Sequence, residues 1–192
     1  MKIYDISQEV TGCQVYPGDP APKIEKLSSI EAGDLYNLTA FSMCAHNGTH
    51  IDAPSHFLGD GNSVDAMSLD HFVGAAYVAE CRGVLTAEDA ARIIKLSAAR
   101  RILIKGDAEV SLEAAEVFAN AKILLLGVES QTVGPETAPM EVHKILLAAG
   151  VALLEGIRLA DVAEGVYFLS AAPLNLSGAD GSPCRAILID GV

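Results

Sequence analysis

Basic residues are scarce: 13 Lys and Arg stand against 25 Asp and Glu, a formal net charge of -12. A field of that sign repels phosphate backbones and anionic lipid, so neither a nucleic-acid nor a membrane partner is expected. Long apolar runs are also missing. The longest, Ile145 to Leu154, is broken by Gly150 and bounded by Lys144 and Glu155. It falls short of the roughly 18 to 20 residues a membrane span needs and reads as a helix end followed by a strand. The opening MKIYDISQEV has no basic stretch leading into an apolar one, so no targeting signal is read and the expected compartment is the cytoplasm. The four cysteines, Cys13, Cys44, Cys81 and Cys184, have no paired spacing. That argues against a zinc knuckle and a disulfide framework, leaving reduced core or strand residues. Internal repeats and low-complexity tracts are absent.

What is present is a globular composition, 51% hydrophobic and 20% charged. At 192 residues a single domain spanning 1-192 is expected. The first third reads as strands and loops: Lys2 to Ile6, a turn at Tyr16-Pro17-Gly18-Asp19-Pro20, then extended stretches near Lys23 to Leu27 and Tyr36 to Cys44. After Gly83, helices are expected at Thr86 to Leu96, Ser111 to Asn120 and Met140 to Ala149, the last stopped by Gly150. Strands are expected at Arg101 to Lys105, Lys122 to Gly127, Val151 to Glu155, Val166 to Ala171 and Cys184 to Asp190. A short buried strand, a capped helix and another buried strand make a βαβ signature and an α/β fold.

The chemistry concentrates in Ala45-His46-Asn47-Gly48-Thr49-His50-Ile51-Asp52-Ala53-Pro54-Ser55-His56-Phe57, which holds three of the five histidines. Gly48 weakens a helix and Pro54 limits one, so a tight loop is expected around His46. In an extended segment His50 and Asp52 point the same way while Ile51 turns into the core. Two imidazole nitrogens and a carboxylate oxygen form a ligand set for zinc or a similar divalent ion. A polar loop with a capping aspartate is the plainer alternative. His71, in a turn, reads as structural, and spacing alone leaves the role of His143 open.

HNGTHIDAPSHF resembles the signature of the metal-dependent cyclase-like hydrolases, a family that includes bacterial kynurenine formamidases and isatin hydrolase. Asp5-Ile6-Ser7, the Tyr16 to Pro20 turn, His143 with Glu155, and Gly178-Ala179-Asp180-Gly181-Ser182-Pro183-Cys184-Arg185 are similar to its other segments. The resemblance implies a compact fold of the swivelling β/β/α type, with a β-rich, barrel-like sheet flanked by helices and commonly a homodimer or larger oligomer. It implies that His46, His50 and Asp52 hold one metal, and that Asp52, His143 and Glu155 hold or complete a second, with Asp52 and Glu155 as bridges. His56 resembles the catalytic acid and base. Tyr16 stands where the kynurenine formamidases usually carry tryptophan, a residue this chain lacks, and would line the substrate pocket.

No serine or cysteine elbow is visible, so water attack on a carbonyl is the expected reaction class. The expected function is a metal-dependent amide hydrolase of the arylformamidase kind acting on a small molecule, with zinc as the leading ion and manganese as the other. Hydrolysis of a cyclic amide or lactone, a domain that binds metal or ligand without turnover, and a scaffold with structural histidines stay open.

Overall fold

The computed structural model describes residues 1-135, 138 and 140-191. In chain order its elements are β1 (Lys2–Asp5), β2 (Lys23–Ser28), β3 (Leu38–Ser42), β4 (His50–Asp52), β5 (Val73–Glu80), β6 (Gly83–Leu85), α1 (Ala87–Leu96), β7 (Arg101–Lys105) and β8 (Ala108–Val110), then α2 (Leu112–Asn120), β9 (Leu125–Val128), α3 (Met140–Ala148), β10 (Ala152–Glu155), β11 (Gly165–Ser170), β12 (Gly181–Pro183) and β13 (Ile187–Asp190). Helix starts follow local chemistry. Thr86 Oγ1 accepts from the Asp89 amide, and the Asp89 carboxylate accepts from the Thr86 amide, a reciprocal cap on α1. Ser111 Oγ accepts from Ala114 and caps α2.

Nine strands form one sheet in the order β1-β13-β11-β5-β7-β9-β10-β4-β12. Its centre, β5-β7-β9-β10, is parallel, and the flanking pairs are antiparallel. The sheet curls into a half-barrel. Alternation along the strands divides the core into two layers. Ile102, Ile104, Leu126 and Leu153 pack with α1, α2 and α3 through Ile93, Phe118 and Leu146. Leu103, Leu125 and Leu154 turn the other way, onto Ile51, Leu169 and Leu188. Burial of both faces explains why the parallel strands read as continuous apolar runs. The β7-α2-β9 unit is the expected βαβ.

Three local readings are corrected. Val73–Glu80, to which the sequence reading assigned no element, is the central strand β5. Lys122 adopts a left-handed backbone (φ 54°), so the strand expected from there starts at Leu125. The strand expected over Cys184 to Asp190 begins only at Ile187. Ahead of it, the Cys184 amide donates to the Thr49 carbonyl and the Ala186 amide to Ser7 Oγ. The β2-β3 hairpin is a separate two-stranded sheet that leaves Ile24, Leu27, Leu35, Tyr36 and Phe41 exposed.

Candidate metal centre

Strand register builds the site. β4 pairs antiparallel with β10, which sets His50 opposite Glu155 and Asp52 opposite Leu153. His50 and Asp52, two apart, share the helix-side face, while Ile51 is fully buried in the opposite layer. A directly opposed cross-strand pair brings Glu155 within reach of His50. His143 arrives from α3, which packs over β10.

The contacts centre on Asp52. Its Oδ1 lies 2.8 Å from His46 Nδ1 and 3.3 Å from His50 Nε2, and its Oδ2 lies 3.4 Å from His143 Nε2. Glu155 completes the group, 3.4 Å from His50 Nε2 and 3.2 Å from His143 Nε2. His50, Asp52, His143 and Glu155 are 1%, 1%, 3% and 3% exposed. Of three sets of possible ligands among the described residues, His46/His50/Asp52, Asp52/His143/Glu155 and His46/His56/Asp180, the first two share the Asp52 carboxylate.

The loop before β4 is held by its own backbone. Gly48 has φ 65°, and its carbonyl accepts from His50 Nδ1 at 3.0 Å and from Gln131 Nε2 at 3.1 Å. The bond to Nδ1 directs His50 Nε2 at the carboxylates. Directly across, Gly156 has φ 68°, and a Cβ there would lie 2.2 Å from the Gly48 carbonyl oxygen. Gly156→Ala combines a left-handed alanine, about 1–2 kcal/mol, with overpacking, about 1–3 kcal/mol. The expected loss of roughly 2–5 kcal/mol lowers Tm by about 4–20 °C, read by calorimetry. An unchanged Tm would mean the loop and the end of β10 are not in this contact.

His56 ends the 3-10 turn Pro54–His56, its ring stacked on His46 with centroids 4.0 Å apart. Together with Tyr16, Phe57, Gln131, Thr132 and Asp180 it lines a cavity of about 440 Å³ over the cluster, a volume suited to a small molecule. Tyr16 opens the turn closed by the Asp19 amide donating to the Tyr16 carbonyl. Gly18 in this turn has φ 100°, the third-position glycine a type II turn favours after proline. In the cavity wall, Gln131 Oε1 and Thr132 Oγ1 have no hydrogen-bond partner among the described residues.

Electrostatics fit a cation. Burial alone would keep His50 and His143 neutral and raise the Asp52 carboxyl. Hydrogen bonds and charge overcome it. The two imidazoles, facing Asp52 and Glu155, are pushed up to about 10, and Asp52 is held well below the usual carboxylate range by His143, His46 and His50. Among the described residues no Lys or Arg pairs with either carboxylate, so imidazolium protons supply the counter-charge. A divalent ion would replace them, and this nitrogen and oxygen donor set suits zinc or manganese. For His56 burial prevails over the Asp52 charge, lowering its pKa and favouring the neutral, proton-accepting ring.

The "Putative cyclase" family model matches residues 4–135, a span that contains His46, His50, Asp52 and His56. The chain belongs to this cyclase family. It is 34% identical to the kynurenine formamidase of Erythrobacter litoralis (strain HTCC2594), over 97% of this chain and 93% of that protein. A solved structure described as a potential metal-dependent hydrolase with cyclase activity is 30% identical, with TM-score 0.86, covering 100% of this chain and 98% of the other. An isatin hydrolase bound to the product analogue thioisatinate shares the fold at 18% identity and TM-score 0.87, over 100% of this chain and 93% of that one.

All six residues expected at the cyclase-family centre from sequence, His46, His50, Asp52, His56, His143 and Glu155, lie in one group, and Tyr16 stands at the cavity wall. His71 lies apart. Its ring nitrogens contact the Ser68 and Gly150 carbonyls, in keeping with the structural reading. The sequence reading gave no role to Gln131, Thr132 or Asp180. Asp180 lies in the closing segment Gly178 to Arg185, but no local spacing ties it to His46 and His56, more than 120 positions earlier.

Proposed function

We propose that this cyclase-family chain is a metal-dependent hydrolase of carbon-nitrogen bonds other than peptide bonds, acting on N-formyl arylamines, with N-formylkynurenine as the leading substrate. The observation that carries the reading is the group of three imidazoles and two carboxylates centred on Asp52, all buried but His46, with His56 beside it in a cavity over the cluster. The likeness to a kynurenine formamidase over nearly the whole chain supports the substrate.

His46, His50 and Asp52 would hold one ion, and Asp52, His143 and Glu155 a second, with zinc or manganese as the metal. Such an ion supplies Lewis acidity, polarising a carbonyl and lowering the pKa of a water from 15.7 to about 7. The chain's own groups do the rest. His56 accepts a proton as the water oxygen bonds to the formyl carbon. It returns that proton to the arylamine nitrogen as the C–N bond breaks, releasing the amine and formic acid, which loses the second water proton to solvent as formate. Tyr16 and Phe57 offer aromatic walls for the aryl ring, and Gln131 and Thr132 line the same cavity.

The exposed apolar residues of the β2-β3 hairpin support a homodimer, since a patch of that kind is covered in stable assemblies. The free cysteines suit a reducing compartment such as the cytoplasm.

Protein purified without a histidine tag should contain one or two equivalents of divalent metal by elemental analysis, and should hydrolyse N-formylkynurenine faster than isatin or simple lactones. The same preparation should scatter light as a particle of at least twice 20.0 kDa. Near-zero metal with no gain on adding zinc or manganese would overturn the hydrolase reading.

A further inference from the structure

Asp180 sits immediately before β12, and its backbone carbonyl accepts from the Ala53 amide at 2.9 Å, which fixes it against the end of β4. A single oxygen, Oδ2, faces two imidazole nitrogens: His46 Nε2 at 3.0 Å and His56 Nδ1 at 3.2 Å. The next residue permits this approach. A Cβ on Gly181 would lie 2.6 Å from His46 Cε1, so only glycine lets the His46 ring lie against β12. His46 is thus bracketed, with Nδ1 toward Asp52 and Nε2 toward Asp180, and His56 is stacked on it.

We propose that Asp180 is a positioning residue that holds a metal-ligand imidazole and the proton-carrying imidazole through one carboxylate oxygen. The proposal rests on the reading of His46 as a ligand and His56 as the acid and base. An imidazole donates through the nitrogen that bears hydrogen, so accepting from His56 Nδ1 fixes the tautomer that leaves Nε2 to take and return the proton. Accepting from His46 Nε2 leaves Nδ1, the nitrogen 2.8 Å from Asp52 Oδ1, as the one that would give up its proton to take an ion. Carboxylates placed behind ligand imidazoles orient the ring and raise its basicity, and their loss commonly costs 10- to 100-fold in metal affinity or activity. One carboxylate serving two rings couples the ligand set to the proton carrier.

Asp180→Asn tests this, because the side chain keeps its shape and loses its charge. The expected result is a folded protein whose kcat falls about 10- to 100-fold with KM changed less than about threefold, and whose zinc affinity, measured by chelator competition, falls about 10- to 100-fold. Long-range proton-nitrogen NMR of the wild-type rings should show His56 protonated at Nδ1, and the variant should lose that preference. This readout needs neither turnover nor a successful variant, so a wild type inactive on every substrate would sink the hydrolase reading and leave the role of Asp180 decided by the tautomer. Wild-type His56 protonated at Nε2, or a variant with kcat and zinc affinity within about twofold of wild type, would overturn the proposal.

Discussion

Replacing Asp52 by Asn should strip the divalent ion from the protein and lower hydrolysis by at least about 10,000-fold, the largest effect expected of any single change. Asp52 is shared by the two buried ligand sets, His46/His50/Asp52 and Asp52/His143/Glu155, and faces three imidazoles, so the loss falls on both of these positions at once. An amide of the same shape carries no charge and offers one oxygen where the carboxylate has two. His46, His50 and His143 each lose a charged partner, leaving Glu155 to face His50 and His143 and Asp180 to face His46. Elemental analysis and turnover on the same sample check it. A variant that retains a full complement of metal and measurable turnover would show that the ion, if any, is held elsewhere.

The second large effect is expected at His56. His56→Ala should reduce kcat by about 100- to 10,000-fold, the range typical of general acid-base groups, or roughly 3–5 kcal/mol of barrier. Metal content should stay at the wild-type level, because His56 touches the cluster through its stacked ring on His46 and through Asp180, not through Asp52 or Glu155. This pairing of outcomes separates the two roles: Asp52→Asn loses both metal and rate, and His56→Ala loses rate alone. Equal turnover by His56→Ala and wild type would remove His56 from the chemistry, and a loss of metal in that variant would make it a ligand.

Much of this site was legible in the sequence because its first half is local. The spacing of His50, Ile51 and Asp52 fixes which side chains share a face once the segment is extended, and the structure places Ile51 in the core with its neighbours on the other side. Capping residues at Thr86 and Ser111 and the glycine after α3 marked helix ends for equally local reasons.

The second half is non-local. Glu155 meets His50 through the register of β4 on β10, and Asp180 meets His46 and His56 through β12 on β4, pairings that no spacing encodes. For His143 and Glu155 only the family resemblance pointed the way. Strand β5 escaped for a related reason. Its VGAAYVAE is rich in glycine and alanine, which carry little strand preference, and it is a strand because β7 and β11 hydrogen-bond to it on either side.

The most direct test of the central claim, that buried imidazoles and carboxylates gather around a divalent cation at Asp52, is an anomalous diffraction map at the metal edge from crystals of untagged, metal-replete protein. The account predicts a peak coordinated by Asp52, at zinc-like distances of about 2.0–2.1 Å from imidazole nitrogens of the surrounding histidines. A map with no peak among His46, His50, Asp52, His143 and Glu155, or with its metal bound elsewhere on the chain, would contradict it.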